Sequence, residues 1–190
     1  MINYIKKAGL IFIIMTVITG VIYPLAITAF AQVFVSDKAN GSIITDKDNK
    51  EVGSKIIGQS FTDPENFWSR PSAAGEGYDG YMSAGTNKTP TGKEYENILN
   101  DRIELLRKYD PENTQKVPID LITASGSGLD PHISVAAAEY QVSRISKYTN
   151  IEEGTILKLI EKNADKPFMS IFGESKVNVL ILNIELNKLK

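Results

Sequence analysis

The sequence has no cysteine and a single histidine, His132, among its 190 residues. The absence of cysteine excludes structural disulfides, cysteine-ligated zinc and thiol nucleophiles. A single histidine also excludes a multi-histidine metal site within this chain, so we predict no metal site. The 21 basic and 23 acidic residues leave a net charge of −2. Such a balance gives no electrostatic reason to expect a nucleic-acid partner.

Charge is also absent from a long apolar run over residues 8–36. About 20 helical residues cross a hydrocarbon core of about 30 Å, and this run exceeds that length. We therefore predict one transmembrane helix over 8–35. Pro24 lies inside the span and is expected to kink it, which makes it a candidate contact with a partner helix.

The flanks of the run predict its orientation. Lys6 and Lys7 precede it, whereas Asp37 and Lys38 follow it and roughly cancel. The positive-inside rule then places residues 1–7 in the cytoplasm. It makes residues 36–190 an extracytoplasmic soluble domain.

A cleaved signal peptide is the alternative interpretation of this segment. Ala29-Phe30-Ala31 matches a small-x-small cleavage site. The apolar region of a signal peptide is usually about 7–15 residues long. More than twenty uncharged residues precede this site, so the length favours a retained anchor.

The rest of the chain mixes helical and strand patterns, which predicts a mixed α/β (α+β) domain after the single N-terminal transmembrane helix. Residues 177–189 fit a strand or a helix, and residues 62–92, rich in glycine and proline, predict an ordered loop. The other predicted elements are a linker or surface hairpin over 37–53, strands over 55–59 and 117–123, and helices over 91–108, 134–148 and 152–163. Ser134 and Asn150 are the predicted N-caps of the last two helices.

A glycine- and serine-rich turn follows the predicted strand over 117–123. It consists of Ser125, Gly126, Ser127 and Gly128. Backbone N–H groups in such a turn suit an anion, especially close to a helix N-terminus. The turn lacks a Walker lysine and the dinucleotide-binding glycine spacing. The alternative is a tight turn that needs glycine at positive φ.

Ser127, Asp130 and His132 are the residue types of a hydrolase triad. The G-x-S-x-G pattern fails, because position 125 is serine. Three residues so close in one turn seldom point at one another. A helix cap or a bonded backbone carbonyl is the alternative role for His132.

Phe67, Trp68 and Arg70 place two aromatic side chains beside a cation. An exposed Trp/Arg pair is typical of protein interfaces, so these residues are candidates for partner contact. The equal alternative is a tryptophan that fills the core, with Arg70 bonded to a loop carbonyl.

Five strings occur in an order that resembles the C subunit of the Kdp potassium-transporting ATPase. They are residues 55–61 (KIIGQSF), 67–73 (FWSRPSA), 120–134 (DLITASGSGLDPHIS), 137–142 (AAEYQV) and 177–180 (VNVL). The resemblance covers nearly the whole chain, including the single N-terminal span. Residues 83–93 depart from it, since Thr86-Asn87-Lys88-Thr89-Pro90 stands where the family usually has a Ser-Asn-Leu-Gly-Pro-like string.

The resemblance implies a non-catalytic accessory subunit of a high-affinity potassium uptake pump in a bacterial or archaeal cell membrane. The implied partners are a channel-like potassium-binding subunit, a P-type ATPase subunit and a small single-span subunit. The chain itself lacks the Asp-Lys-Thr-Gly string from which an aspartyl phosphate forms. A membrane-anchored extracytoplasmic hydrolase and a stand-alone binding module are the alternatives.

The family is also described as a catalytic chaperone that raises the ATP affinity of the hydrolytic subunit. This implies no stably bound cofactor and transient contact with ATP. The implied contact residues, for ATP or for a partner, are Ser125, Gly126, Ser127, Gly128, Asp130, His132 and Gln141. The predicted orientation opposes direct contact, because ATP is cytoplasmic. Action at a distance, or a cap that stabilises the complex, agrees with that orientation.

Overall fold

The computed structural model describes residues 1–45, 49–165 and 173–190. The chain divides into two compact units, Met1–Ile43 and Ile44–Lys190. The two units differ in kind, since the first is an apolar helix and the second contains a buried core.

The first unit is a long apolar helix. Helix α1 (Ile2–Val17) continues through a π-helical turn (Ile18–Ile22) into α2 (Tyr23–Phe34), and a short α3 (Ser36–Ala39) follows. The stretch Ile2–Phe34 has 33 residues, and its most apolar 18-residue window has a mean hydropathy of 2.5 and no burial. It is long and apolar enough to cross a membrane, as predicted, and is exposed where a core helix would be buried.

Pro24 lies in the first turn of α2, directly after the π-helical turn. Proline has no N–H to donate to the carbonyl four residues earlier, and its ring crowds that carbonyl. A π-helical turn widens the backbone at such a point. The local distortion expected at Pro24 is therefore present as a change of helix type.

The second unit combines two small sheets with five helices among its described residues. Strand β5 is central in the three-stranded sheet, and both of its neighbours run antiparallel to it. Val177 lies opposite Ile133 on one side and Ala164 on the other. The strands are β1 (Ile43–Thr45), β2 (Glu51–Ser54), β3 (His132–Ser134), β4 (Ala164–Asp165) and β5 (Lys176–Asn178). The helices are α4 (Lys93–Tyr109), α5 (Val135–Tyr140), α6 (Val142–Thr149), α7 (Glu153–Asn163) and α8 (Val179–Asn187).

This architecture confirms the predicted fold class, a single N-terminal apolar helix followed by a mixed α/β domain. Of the linker and the surface hairpin predicted over 37–53, the pairing of β1 with β2 supports the hairpin, while residues 37–39 belong to α3. Residues 46–48 of that prediction lie outside the described residues. The helix predicted over 91–108 is α4, and the one over 152–163 is α7.

The helix predicted over 134–148 is divided at Gln141 into α5 and α6. Ser134 is the N-cap, as predicted, and its Oγ accepts from the N–H of Ala137 at 3.0 Å. At the division the N–H of Gln141 donates to the carbonyl of Ala138, three residues back. This tighter turn ends α5 and redirects the chain into α6.

Two predicted strands and one predicted cap are wrong. Residues 117–123 contain a 3-10 turn, Ile119–Leu121, closed when the hydroxyl of Thr123 donates to the carbonyl of Ile119 at 2.8 Å. Residues 55–59 are loop, because Gly58 donates its N–H to Leu129 in another loop instead of a ladder. Asn150 has a left-handed backbone, φ 59°, and ends α6, so the N-cap of α7 is Glu152.

The ambiguous run over 177–189 is strand first and helix afterwards. Strand β5 ends at Asn178, whose Oδ1 accepts from the N–H of Ile181 at 3.1 Å and so caps α8. Each of the two patterns in the sequence is therefore valid for its own part of the run.

The core lies between β5 and one face of each of α4 to α8. Two aromatic residues from the loop over 55–92 reach into it, Phe67 at 0% and Trp68 at 7% exposure. The other large buried members are Leu106, Leu121, Ile122, Ile133, Tyr140, Val142, Ile145, Ile156, Leu159, Ile160, Val177, Val179, Leu182 and Leu186. The loop is thus ordered by its own aromatic anchors, as its composition predicted.

Candidate functional site

The turn at residues 125–128 is shaped by Gly128. Its φ is +69°, and a Cβ there would lie 2.6 Å from the carbonyl oxygen of Ala84. Only glycine accepts this conformation and approach without strain. The N–H of Gly128 donates to Ser125 Oγ at 2.9 Å, and that of Leu129 donates to Ser127 Oγ at 3.1 Å. Both serines therefore close the turn on itself.

The same turn is covered by the loop over 55–92. The carbonyl of Ser127 accepts from the N–H of Ala84 and the hydroxyl of Ser83, each at 3.0 Å. The carbonyl of Gly128 accepts from Ser72 Oγ at 2.6 Å. The turn thus holds two stretches of chain together, as the tight-turn alternative requires. Gly126 and Ser127 remain exposed, and anion binding by this turn stays a prediction.

Arg70, Asp130 and His132 form a charged cluster beside the turn. The guanidinium of Arg70 lies 3.5 Å from Asp130 Oδ2. The backbone N–H of His132 donates to Asp130 Oδ1 at 3.0 Å, and its ring Nδ1 lies 3.3 Å from the same oxygen. The hydrogen bond from the His132 ring is the main cause that lowers the pKa of Asp130, Arg70 adds to it, and partial burial opposes it. The carboxylate therefore stays ionised around neutral pH.

The cluster does not have the geometry of a hydrolase triad. Ser127 Oγ bonds within its turn, and the ring of His132 bonds to Asp130. Within residues 1–45, 49–165 and 173–190 no hydrogen bond joins Ser127 to His132. Activation of a serine needs that bond, so the arrangement gives no support to a nucleophilic role. The described part of the chain also holds no group of acidic residues and histidine that suits a metal ion.

Gln141 is buried at 1% exposure, and its amide is used inside the domain. Its Oε1 accepts from the N–H of Trp68 at 2.7 Å, and its Nε2 donates to the carbonyls of Trp68 and Ala137 at 3.3 and 3.1 Å. A side chain so enclosed is not available to a ligand in this structure. These hydrogen bonds give Gln141 a structural role, and its contact with ATP or a partner stays a prediction.

Asn183 on α8 forms the same pair of hydrogen bonds with the backbone of Phe67, the residue before Trp68. Its Oδ1 accepts from the N–H of Phe67 at 2.7 Å, and its Nδ2 donates to the carbonyl of Phe67 at 2.9 Å. Gln141 and Asn183, here called the amide clamp, thus replace a β-ladder for two consecutive loop residues. The clamp satisfies buried backbone groups that the loop cannot pair by itself.

Arg144 completes this buried network at 2% exposure. It donates to the carbonyls of Pro64 and Asn66 and to Gln141 Oε1, the last at 2.6 Å. Its guanidinium carbon lies 4.3 Å from the centre of the Trp68 ring. Burial lowers the pKa of Arg144 to about 10, and Asp110 opposes that effect. Carbonyl dipoles and the ring face therefore compensate a buried cation.

Sequence reasoning missed Arg144 and Asn183. The signal for Arg144 was its spacing, since it lies three residues after Gln141 and next to the apolar Ile145. A cation on an apolar helical face indicates a buried partner. Asn183 gave a similar signal, as a lone amide between Leu182 and Ile184.

The two alternatives for Phe67, Trp68 and Arg70 are now resolved. The aromatic pair is buried, so the expectation of an exposed pair for partner contact is wrong. Arg70 donates to the carbonyls of Thr123 and Ala124, each at 3.4 Å, as the core-filling alternative required. Contact of Arg70 or Pro24 with a partner stays a prediction.

Comparison with known proteins identifies relatives along the full chain. Residues 5–188 match the KdpC family, described as the c chain of a K+-transporting ATPase. A potassium-transporting ATPase KdpC subunit of Methylococcus capsulatus is 44% identical over 191 residues, covering 100% of both chains. That of Polaromonas naphthalenivorans is 44% identical and covers 99% of this chain and 96% of its own. That of Clostridium perfringens is 41% identical and covers 96% of each.

Proposed function

The chain belongs to the KdpC family of potassium-transporting ATPase subunits, and from that premise we propose that it is a non-catalytic subunit that stabilises the pump. Its partners are the channel-like potassium-binding subunit, the P-type ATPase subunit and the small single-span subunit. Hydrolysis takes place on the ATPase subunit. The chain contributes a membrane anchor and a rigid domain that the other subunits contact.

This proposal rests on the bonding partners of residues in the strings that resemble the family. Ser125 bonds within its own turn, and Gly128, Asp130 and Gln141 bond to other parts of the same domain. An enzyme leaves its reacting groups accessible, whereas a docking module needs a fixed shape. The strings therefore support a role in assembly better than a role in catalysis.

The orientation follows from the apolar helix and its charged flank. Lys6 and Lys7 stand before the span, and no acidic residue precedes it. We place the N-terminus in the cytoplasm and the domain outside. Protease added to intact spheroplasts then cleaves the domain, with a cytoplasmic protein as the protected control. A domain that is cleaved only after lysis contradicts the orientation.

The proposed orientation leaves ATP on the other side of the membrane. We therefore propose that the chain binds no cofactor stably and changes ATP affinity only through the conformation of its partners. Binding coupling is reciprocal, so ATP analogues should strengthen binding of the chain by the factor by which the chain strengthens theirs. Equal ATP affinity of the pump with and without the chain removes the chaperone role and leaves assembly untouched.

Deletion and co-purification test the proposal as a whole. A tagged full-length chain should retain the channel-like and ATPase subunits through detergent purification. Cells without the chain should fail to grow at micromolar potassium and recover at millimolar potassium. Normal growth of the deletion strain at micromolar potassium contradicts the proposed function.

A further inference from the structure

A small cavity in the second unit has no role in the proposed function. It encloses about 260 Å³ beside α4 and the loop over 55–92. Half of its lining residues are aromatic or aliphatic, and the other half are two arginines and three serine or threonine residues. The lining includes Ser60, Phe61, Thr62, Trp68, Arg102 and Tyr109.

Arg102 is the unusual member of this lining. Its side chain is half-buried, on the α4 face that carries Leu106 into the core. Within residues 1–45, 49–165 and 173–190 its guanidinium has no hydrogen bond and no ion pair. Burial lowers the pKa of Arg102, and only the nearby Tyr78 opposes that effect. A partly buried cation without an anion costs free energy that the domain itself does not recover.

Two other arginines of the same domain, the buried Arg144 and the half-buried Arg70, provide a comparison. Arg144 donates to Pro64, Asn66 and Gln141, and Arg70 has both Asp130 and two carbonyls. Arg102 alone among these three lacks such partners in the described structure. It also opens on the cavity, whereas Arg144 is enclosed.

The other walls suit an occupant with a short apolar stem. Trp68 and Tyr109 meet edge to face at 5.3 Å between ring centres, and Phe61 adds a third ring to the lining. The hydroxyls of Ser60 and Thr62 make no hydrogen bond within the described ranges, so both remain free to donate. Tyr78, at a positive φ of 57°, closes the side next to Arg70, where its hydroxyl donates to the Arg70 carbonyl at 2.7 Å.

We propose that this cavity receives a carboxylate side chain, an aspartate or glutamate, from a partner subunit of the pump, with Arg102 as its counter-ion. This inference rests on the proposed function. Charge complementarity selects an anion, and the planar guanidinium fork matches a carboxylate. About 260 Å³ is below the usual size of a small-molecule site, whereas it accommodates one side chain. A partly buried pair of this kind fixes the register of an interface.

The test compares Arg102→Gln with Arg107→Gln, a matched change at an exposed arginine of the same helix. Labelled full-length chain in detergent is titrated into pump that lacks it, and the dissociation constant is read from anisotropy. Arg102→Gln should weaken binding about ten-fold or more, because a partner carboxylate is left unpaired. Arg107→Gln should stay within about two-fold, since exposed pairs contribute little.

Thermal unfolding of the same full-length variants separates docking from folding. Arg102→Gln should unfold at the wild-type temperature or above it, since a cation without a partner is removed. A fall of several degrees relative to Arg107→Gln would show that Arg102 holds the domain together and would overturn the proposal. Unchanged binding by Arg102→Gln would overturn it equally.

The source of the carboxylate is identified with Arg102→Lys and a zero-length carbodiimide. The new ε-amine should form an amide with an aspartate or glutamate of another subunit, located by mass spectrometry. Saturable stabilisation of the isolated chain by submillimolar acetate would assign the cavity to a free carboxylate instead and overturn the partner assignment. Failure of wild-type chain to bind the pump would contradict the proposed function itself, which distinguishes the two failures.

Discussion

The N-terminal helix and the loop over 55–92 satisfy their backbone groups in opposite ways. The helix bonds to itself, and even the hydroxyls of Thr16 and Thr19 donate to carbonyls four residues earlier. The loop contains turns and bends but no helix or strand, and part of its backbone is bonded by the side chains of Gln141, of Arg144 on α6 and of Asn183 on α8. The helix can therefore enter lipid alone, whereas the loop exists only as part of the folded domain.

Because of this difference, substitutions should disturb the two regions in different ways. Every side chain of α1 and α2 but one is exposed, so apolar surroundings must come from lipid or from partner helices. The loop owes its order to residues more than seventy positions away in the chain. A substitution in the helix should change insertion alone, while one at the amide clamp should loosen the loop.

The largest effect is expected at Phe67. Phe67→Ala empties a fully buried position and should lower the free energy of unfolding by about 3–5 kcal/mol. Chemical denaturation of the full-length chain in detergent, followed by tryptophan fluorescence, measures it. Tyr81→Ala is the control, since Tyr81 lies in the same loop and is fully exposed. Equal effects of the two substitutions would mean that Phe67 does not anchor the loop.

Met15→Arg tests the N-terminal helix. An arginine near the centre of a membrane span costs about 2.5–3.5 kcal/mol of insertion free energy. A glycosylation-tag insertion assay should show that loss, while the unfolding midpoint of the domain stays at the wild-type value. Loss of domain stability in this variant would contradict the independence of the two regions.

Gln141→Leu should cost about 2–3 kcal/mol of domain stability, because it leaves the Trp68 N–H buried and unpaired. Hydrogen exchange of residues 67 and 68 should accelerate together with this loss. Gln115→Leu, at an exposed amide, provides the comparison and should leave both quantities unchanged. Slow exchange at Trp68 in Gln141→Leu would show that the clamp is not what orders the loop.

The smallest effect concerns Asp130. Its pKa is lowered in the folded protein, so its contribution to stability is complete above the unfolded value, about 3.9, and is lost as pH falls through the folded pKa. Asp130 is about one third exposed, which limits the contribution to less than about 1 kcal/mol. The free energy of unfolding, measured from pH 6 to pH 2, should fall less steeply in Asp130→Asn than in the wild type. Identical slopes would show that the Arg70–Asp130–His132 cluster does not stabilise the folded domain.

The sequence predicted those features whose cause is local. The apolar run, the period of α4 and α7 and the Ser134 cap depend on neighbouring residues, and the structure confirms each. The strand predicted over 117–123 failed for a related reason. Pro118, in an extended conformation, leads into a turn that the Thr123 hydroxyl closes, and β-branched composition cannot show that.

The candidate site was predicted only in part because its contacts are long-range. The turn at residues 125–128 was recognised, but what covers it, Ser72, Ser83 and Ala84, lies more than forty positions earlier. The partner of Gln141, Trp68, lies 73 positions earlier and is hidden in the same way, so only the family resemblance suggested a role for Gln141. Side-chain amides that replace a β-ladder leave no periodic pattern in the sequence.

Potassium uptake by the reconstituted pump tests whether the chain supports transport without taking part in the chemistry. Pump purified without the chain is compared with pump to which wild-type chain or Ser127→Ala has been added, at micromolar potassium. Little uptake is expected without the chain and full, equal recovery with both chains, since the Ser127 hydroxyl accepts from the Leu129 N–H within its own turn. Uptake that does not depend on the chain, or recovery by the wild type alone, would contradict this role.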